Sequence, residues 1–173
     1  MSPRENKTAG AITDFLTEDH RRLEALLQSA VAQAGLIDRG AYDQFRVGLL
    51  HHIGMEEKIL LPAAQRLRGG EPLPIASKLR LDHGAIASLL MPPPTAAIVA
   101  TIRAVLTVHN TIEEGPGGLY ETCEELAGSE AAQLLAKLQA APEVTVLPCS
   151  DSPAVMPAVQ RALERAGYDF SEE

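Results

Sequence analysis

The sequence predicts an all-α fold: an up-down-up-down four-helix bundle with additional C-terminal helical segments. Apolar residues recur at intervals of three, four or seven in four consecutive segments, which is the spacing of one face of a helix. Glycine and proline separate these segments, and no pair of alternating apolar runs flanks a tight turn as in a β-hairpin. Because the linkers are short, consecutive helices are expected to lie antiparallel.

The first two predicted helices follow a small, polar segment at residues 1–11. The first helix is expected to run to about Ala34, where Gly35 offers a stop. Asp38 is the expected N-cap of the second helix, which ends at the glycine pair 69–70. The apolar stripes are Ile12, Leu16, Leu23 and Leu27 in the first helix and Phe45, Leu49, Ile59, Ala63 and Leu67 in the second.

Prolines bound the third and fourth predicted helices. Pro74 suits the first position of the third helix, which the proline run 92–94 ends. Thr95 is the expected cap of the fourth helix, and the Gly-Pro-Gly-Gly segment 115–118 breaks or kinks it. The stripes are Ile75, Leu79, Ile86 and Leu90 in the third helix and Ile98, Ile102, Val105 and Ile112 in the fourth.

The chain beyond this break is less regular. The predicted elements there are helices at 119–127, 129–140 and 154–166 and a short extended piece at 144–147. The sequence thus divides into a flexible N-terminal tail (1–11), the bundle (12–141) and an extension with a short helix (142–173). The extension is expected to pack on the bundle or to be appended to it.

Composition and charge exclude several classes of partner. The net charge of −8 and the lack of a basic cluster argue against binding to nucleic acid or to an anionic membrane. Two cysteines are too few for a disulfide scaffold, which favours a reducing compartment. With no apolar signal segment and no run of about 18 apolar residues, the chain is expected to be cytoplasmic.

Each of the four helices carries one histidine on its apolar stripe, and the second and fourth also carry a glutamate four residues later. Residues four apart share a helix face, so each His-x-x-x-Glu pair can hold one metal centre. A lone inward histidine is usually a hydrogen-bonded core residue. Four of them with two inward carboxylates, however, are costly to bury without a cation. The sequence therefore predicts a metal site with the ligands His20, His52, Glu56, His83, His109 and Glu113.

The predicted donor set contains nitrogen and oxygen but no thiolate, which favours iron or manganese over a structural zinc site. Two carboxylates from facing helices can each bridge a pair of metal ions. A bridging oxygen and about one open position per ion would complete six-coordinate shells and admit a small diatomic ligand or peroxide. The neighbouring Glu57 and Glu114 are expected to belong to a solvated face.

Four segments carry these residues: DFLTEDHRRLEALL, LLHHIGMEEKILLP, LRLDHGAIASLL and VLTVHNTIEE. Their motif order is His, His-x-x-x-Glu, His, His-x-x-x-Glu, and over about residues 12–127 the chain resembles the hemerythrin-like family of HHE cation-binding domains. The resemblance implies a bundle around a non-haem, usually di-iron, centre. It implies terminal histidine ligands, bridging glutamates and two iron ions joined by an oxide or hydroxide, with zinc or manganese as alternative metals.

The third helix departs from the pattern of the oxygen-carrying hemerythrins, in which that helix supplies a pair of histidines four residues apart. The positions four before and four after His83 are Leu79 and Ala87, which cannot bind a metal ion. This departure argues against reversible oxygen transport. The further candidate ligands are Glu24, Asp82 and His51.

The function favoured by this site is the binding or sensing of oxygen, nitric oxide or peroxide at di-iron, without catalytic residues or an organic cofactor. The first alternative is an enzyme that turns over peroxide or nitric oxide, or donates iron for repair of iron–sulfur clusters. Repair-type relatives usually carry an N-terminal cysteine-bearing segment, whereas the first cysteine here is Cys123. The second alternative is a bundle that zinc or another ion stabilises without a redox role.

Overall fold

The structure is a computed structural model that describes residues 10–170. Over this range the chain is helical and forms no β-strand, which confirms the predicted all-α class. None of the helices described is both long and apolar enough to cross a membrane. The helices are α1 (Ala11–Ala30), α2 (Arg39–Met55), α3 (Leu61–Leu67), α4 (Ala76–Leu89), α5 (Ala96–Glu114), α6 (Leu119–Ala127), α7 (Ala131–Gln139) and α8 (Val155–Ala166).

Helices α1 and α2 bury the faces that the sequence predicts. The predicted tail falls outside the described residues apart from Gly10 and the first residue of α1. Helix α1 ends at Ala30, earlier than expected, because the backbone N–H of Asp38 donates to the Ala30 carbonyl at 2.8 Å and closes the loop there. The Asp38 carboxylate then accepts from the N–H of Ala41 at 3.0 Å, which confirms the predicted N-cap of α2.

A single π-helical turn, Glu56–Leu60, joins α2 to α3 without a break. Pro62 follows this turn and lacks a backbone N–H, so one α-helical hydrogen bond is missing at this point. π-Turns within α-helices occur frequently at functional sites. The turn begins at Glu56, one of the predicted ligands, and α3 then ends before the glycine pair 69–70.

Helices α4 and α5 differ only slightly from the prediction. Helix α4 begins at Ala76 and not at Pro74, because the residues before it form a turn in which the N–H of Ala76 donates to the Leu73 carbonyl at 3.0 Å. The Thr95 hydroxyl accepts from the N–H of Ile98 at 3.1 Å and caps α5 as predicted.

The predicted break at 115–118 is confirmed, and its last glycine is required by space. A Cβ atom on Gly118 would lie 2.5 Å from the Ile112 carbonyl oxygen and 2.8 Å from that of Glu113. Only glycine allows the chain to pass this close to the end of α5. Helix α6 begins at the next residue and packs against α1, α3 and α5.

Two apolar clusters form the core, and a polar layer separates them. On α1, Leu16 belongs to one cluster and Leu23 to the other, with His20 between them. On α4, Leu79 and Ile86 divide in the same way around His83. The other predicted ligands on α2, the π-turn and α5 lie at the corresponding level. The bundle therefore buries its polar residues in one layer between two apolar ones.

The C-terminal extension packs on this core through α8. Helix α8 lies against α4, and its residues Val159, Leu163 and Ala166 join the same apolar cluster as Leu23. Residues 144–147, for which a short extended piece is predicted, form no β-strand. They are held to the bundle by the Arg46 guanidinium, which donates to the Leu147 carbonyl at 3.0 Å.

Candidate metal centre

The six predicted ligands lie together in the polar layer as two adjacent clusters. Glu56 and Glu113 belong to both clusters. In each cluster the donor atoms lie within 4.8 Å of one another, and all six residues are buried. The imidazole rings pair across the helices, with centroid separations of 4.5 Å for His20 and His52 and 4.8 Å for His83 and His109. The first cluster is His20, His52, Glu56 and Glu113, and the second is His83, His109, Glu56 and Glu113.

Each imidazole directs its Nδ1 atom toward a carboxylate outside the clusters. The four pairs are His20 with Glu114, His52 with Asp19, His83 with Glu57 and His109 with Asp82. The Nδ1–oxygen distance is 2.8 Å for His52, 2.6 Å for His83 and 3.1 Å for His109. A carboxylate on Nδ1 fixes the ring and leaves Nε2 as the donor atom for a metal ion. All four imidazoles are therefore oriented before any ion binds.

These contacts overturn the expectation of a solvated face for Glu57, whose side chain is 27% exposed and binds His83. Glu114 is exposed as expected, with its side chain 34% exposed, but its carboxylate also binds His20. Each of the two follows an inward glutamate and lies about 100° around its helix from it. A carboxylate beside the apolar stripe of one helix can thus bind a histidine on the apolar stripe of another helix.

The ionisable side chains of the clusters change one another's pKa values. Burial lowers the pKa of His52 and of His83, but the facing carboxylates outweigh it and raise both to about 10. The same balance raises the pKa of His109 to about 9. Burial raises the pKa of Glu56 and Glu113, whereas the facing imidazoles outweigh it and lower both. Without a metal, His52, His83 and His109 therefore favour the imidazolium form and face the carboxylates of Glu56 and Glu113.

Within the two clusters, three buried side-chain atoms have no aligned hydrogen-bond partner: Glu56 Oε2, Glu113 Oε1 and His83 Nε2. They face one another as charged groups: His83 Nε2 lies 3.1 Å from Glu56 Oε2, and Glu113 Oε1 lies 2.8 Å from His109 Nε2 and 3.6 Å from His83 Nε2. An unsatisfied buried polar atom costs about 1–3 kcal/mol. A cation placed among these atoms would satisfy all three, so the residues present fit a metal ion.

The structure places the three further candidate ligands outside the clusters. Glu24 is exposed and lies near Gln28 and Arg103. His51 Nε2 lies 3.3 Å from the Ala141 carbonyl oxygen. Asp82 is buried, but its carboxylate binds Lys78 and the Nδ1 atom of His109 and is not a member of either cluster. Of the three, Asp82 alone contacts a cluster residue.

Tyr120 was not among the predicted site residues, yet its ring is fully buried against the first cluster. Its hydroxyl lies within 3.1 Å of donor atoms from all four residues of that cluster. Burial and the nearby glutamates raise the pKa of this hydroxyl well above its usual value. The break at 115–118 separates Tyr120 from the stripe of α5, so helical spacing could not reveal its direction.

Replacement of Asp19 by asparagine is expected to weaken metal binding about 10–100-fold, the usual effect of losing an outer partner of a histidine ligand. The Asp19 carboxylate, whose pKa is lowered to about 2 against the effect of burial by His52 and Arg22, holds His52. Competition with a chelator measures the change in Kd. The matched control is Asp14→Asn, an exposed position on the same helix. Equal affinities for the two variants would contradict an orienting role for Asp19.

A buried set of imidazoles and carboxylates on several helices, with two carboxylates common to both halves, defines the class of metal-binding helical bundles. The family model of the hemerythrin HHE cation binding domain matches residues 11–141, and the chain belongs to this family. The family expected from the motif order is thereby confirmed, and cation binding with it. Neither a curated protein nor a solved structure matches the chain.

Proposed function

We propose that the chain is a non-haem di-iron protein with an up-down-up-down bundle that binds or senses a small ligand such as oxygen, nitric oxide or peroxide. The observation that carries this proposal is the sharing of Glu56 and Glu113 by two clusters, each with its own pair of imidazoles. Two shared carboxylates between two nitrogen pairs suit two ions side by side, as in carboxylate-bridged di-metal bundles. A single ion would leave one imidazole pair unused.

The donor set favours iron or manganese, and iron is the metal that we propose. The clusters combine imidazole nitrogen with carboxylate oxygen and contain no thiolate, whereas structural zinc sites usually contain cysteine. Four donor residues per cluster leave room in a six-coordinate shell for a small ligand. The two cysteines of the chain are free, in keeping with the cytoplasmic location that we also propose.

The protein itself would orient the histidine ligands and shield the metal centre from bulk water. The outer carboxylates fix the imidazoles, and the apolar clusters above and below the polar layer limit contact with bulk water. Ferrous ions held there would supply electrons and open coordination positions. Because the six donor residues are buried, a ligand of few atoms fits this site better than a large organic substrate.

Metal analysis and optical spectroscopy of the iron-loaded protein test this function. We expect two iron ions per chain and a change of the anaerobic spectrum on exposure to oxygen, nitric oxide or peroxide. A protein that holds two iron ions but responds to none of the three would contradict the proposal. Sustained consumption of peroxide or nitric oxide above the rate of free iron would make the chain an enzyme. Binding of zinc alone would give the ion a purely structural role.

A further inference from the structure

The hydroxyl of Tyr120 lies at the centre of the first cluster. Its oxygen is 2.9 Å from His20 Nε2 and 3.1 Å from His52 Nε2. It is also 2.7 Å from Glu56 Oε1 and 3.1 Å from Glu113 Oε2. These are four of the donor atoms through which the chain would hold the first ion. Within residues 10–170, the other two tyrosines lie elsewhere: Tyr168 contacts Lys78 and Tyr42 packs against Phe45.

The two halves of the site therefore differ. In the second cluster, the facing atoms of His83, Glu56 and Glu113 have no aligned hydrogen-bond partner, although Glu113 Oε1 lies 2.8 Å from His109 Nε2. In the first, the tyrosine hydroxyl can donate its one proton to either glutamate and lies within hydrogen-bonding distance of His20 and His52. The chain thus places a fifth polar side chain in one half of the centre only.

The Tyr120 side chain has little freedom to leave the first cluster. Its ring is fully buried, and α6 is held against α1, α3 and α5. Gly118, two residues before Tyr120, packs closely against the end of α5 and so fixes the position at which α6 begins. Bonds between a metal ion and nitrogen or oxygen donors measure about 2.0–2.2 Å. An ion bound by the four surrounding atoms would lie close to the present position of the hydroxyl oxygen, and a shift of that oxygen by one bond length, about 2 Å, would place it in the coordination shell of the ion.

We propose that Tyr120 is itself a metal ligand and binds the ion of the His20/His52 cluster through its phenolate oxygen. The inference rests on the proposed metal centre. On binding, the O–H bond is broken, the proton passes to solvent and the oxygen lone pair forms the bond to the ion, with no change of oxidation state. The phenolate adds one negative charge to those of the two shared carboxylates. It would occupy a coordination position on the first ion beside His20 and His52.

This assignment also locates the exogenous ligand. With Tyr120 on the first ion, that ion would have five donor residues, whereas the second would have four. A bridging oxygen shared by the two ions would complete six positions on the first and leave one open on the second. The open position then belongs to the His83/His109 half. The two halves would then differ in function. The first ion would have no open coordination position, and the second would bind the small ligand.

The test is the spectrum of the ferric protein. Phenolate bound to ferric iron gives an intense visible charge-transfer band and resonance-enhanced vibrations of the tyrosine ring. We expect both in the wild-type protein loaded with two ferric ions and neither in Tyr120→Phe. The double variant Tyr42→Phe/Tyr168→Phe, in which Tyr120 is the last of the three tyrosines, should retain both. It remains informative even if Tyr120→Phe does not fold.

Loss of the band in the double variant, or its absence from wild-type protein that holds two ferric ions, would overturn the assignment. A second measurement tests Tyr120 as a ligand even if the protein does not bind iron. Zinc loading of the metal-free protein should produce the ultraviolet difference spectrum of deprotonated tyrosine, again retained in the double variant. If zinc binds but iron does not, the di-iron function fails while this spectrum still decides for or against Tyr120. If neither metal binds, the ligand assignment fails as well.

Discussion

The variant Glu113→Gln is expected to lose both metal ions, whereas His83→Ala should lose one. Glu113 is common to both clusters, but His83 belongs to the second alone. Loss of an outer partner already lowers metal affinity about 10–100-fold, so loss of a shared ligand should lower it by more than about 100-fold. The number of ions per chain, measured after equilibration with a slight excess of metal, distinguishes the two variants.

The control is Glu24→Gln, which removes a carboxylate that helical spacing also allowed as a ligand. Glu24 is exposed and stands apart from both clusters, so this variant should retain both ions. Circular dichroism and thermal melts establish that each variant is folded before metal is added. If Glu113→Gln binds one ion as tightly as wild type, the two clusters do not share this carboxylate as a ligand. If Glu24→Gln loses an ion, the donor set is different.

Helical periodicity was sufficient to find the residues that the structure brings together. Burial forces one face of each helix inward, so a histidine that replaces an apolar residue on that face must point into the core. His20 interrupts the stripe of Leu16 and Leu23 in this way, and the structure buries all three. The apolar stripes indicated which face of each of the four helices is buried, and this was sufficient to predict that the four histidines lie in one interior. The ligand roles of the six residues stay a prediction.

The outer carboxylates could not be found in this way, because they do not lie on a stripe. Asp19 precedes His20, about 100° around α1, and its partner is on α2. The sequence nevertheless contains a signal for these residues. An Asp-His pair and a His-x-x-x-Glu-Glu segment occur twice, at 19–20 and 52–57 and again at 82–83 and 109–114. In each repeat the aspartate binds the histidine of the following segment.

Tyr120 was missed for a different reason. Periodicity relates residues only while the helix continues, and the glycines at 115–118 interrupt it after Glu113. The direction of the new helix depends on the close approach of Gly118 to the end of α5, a contact between backbone atoms that residue types alone do not specify. Three tyrosines in the chain gave no reason to choose this one.

Metal affinity is expected to rise steeply with pH. In the metal-free protein the facing carboxylates overcome the effect of burial and hold the pKa of His52 and His83 at about 10 and that of His109 at about 9. At neutral pH an incoming ion must therefore displace these protons. Each displaced imidazole proton contributes about a tenfold rise in apparent affinity per pH unit, up to about 1,000-fold per unit for three, and this contribution should level off above pH 10. The proton that Tyr120 loses as a phenolate ligand adds about a further tenfold per unit, which continues above pH 10.

Stability without metal should change in the opposite direction. The folded pKa values of these histidines exceed the ordinary value of 6.5, so their contribution is fully present below pH 6.5 and is lost as pH rises toward 9 and 10. The metal-free protein should thus melt at a lower temperature at pH 9 than at pH 6.5, and the metal-loaded protein should not. Calorimetry in buffers of different ionisation enthalpy counts the protons released on metal binding. Release of no protons at pH 7 would mean that the imidazoles are neutral before the ion binds, which would remove the predicted pH dependence of both affinity and stability.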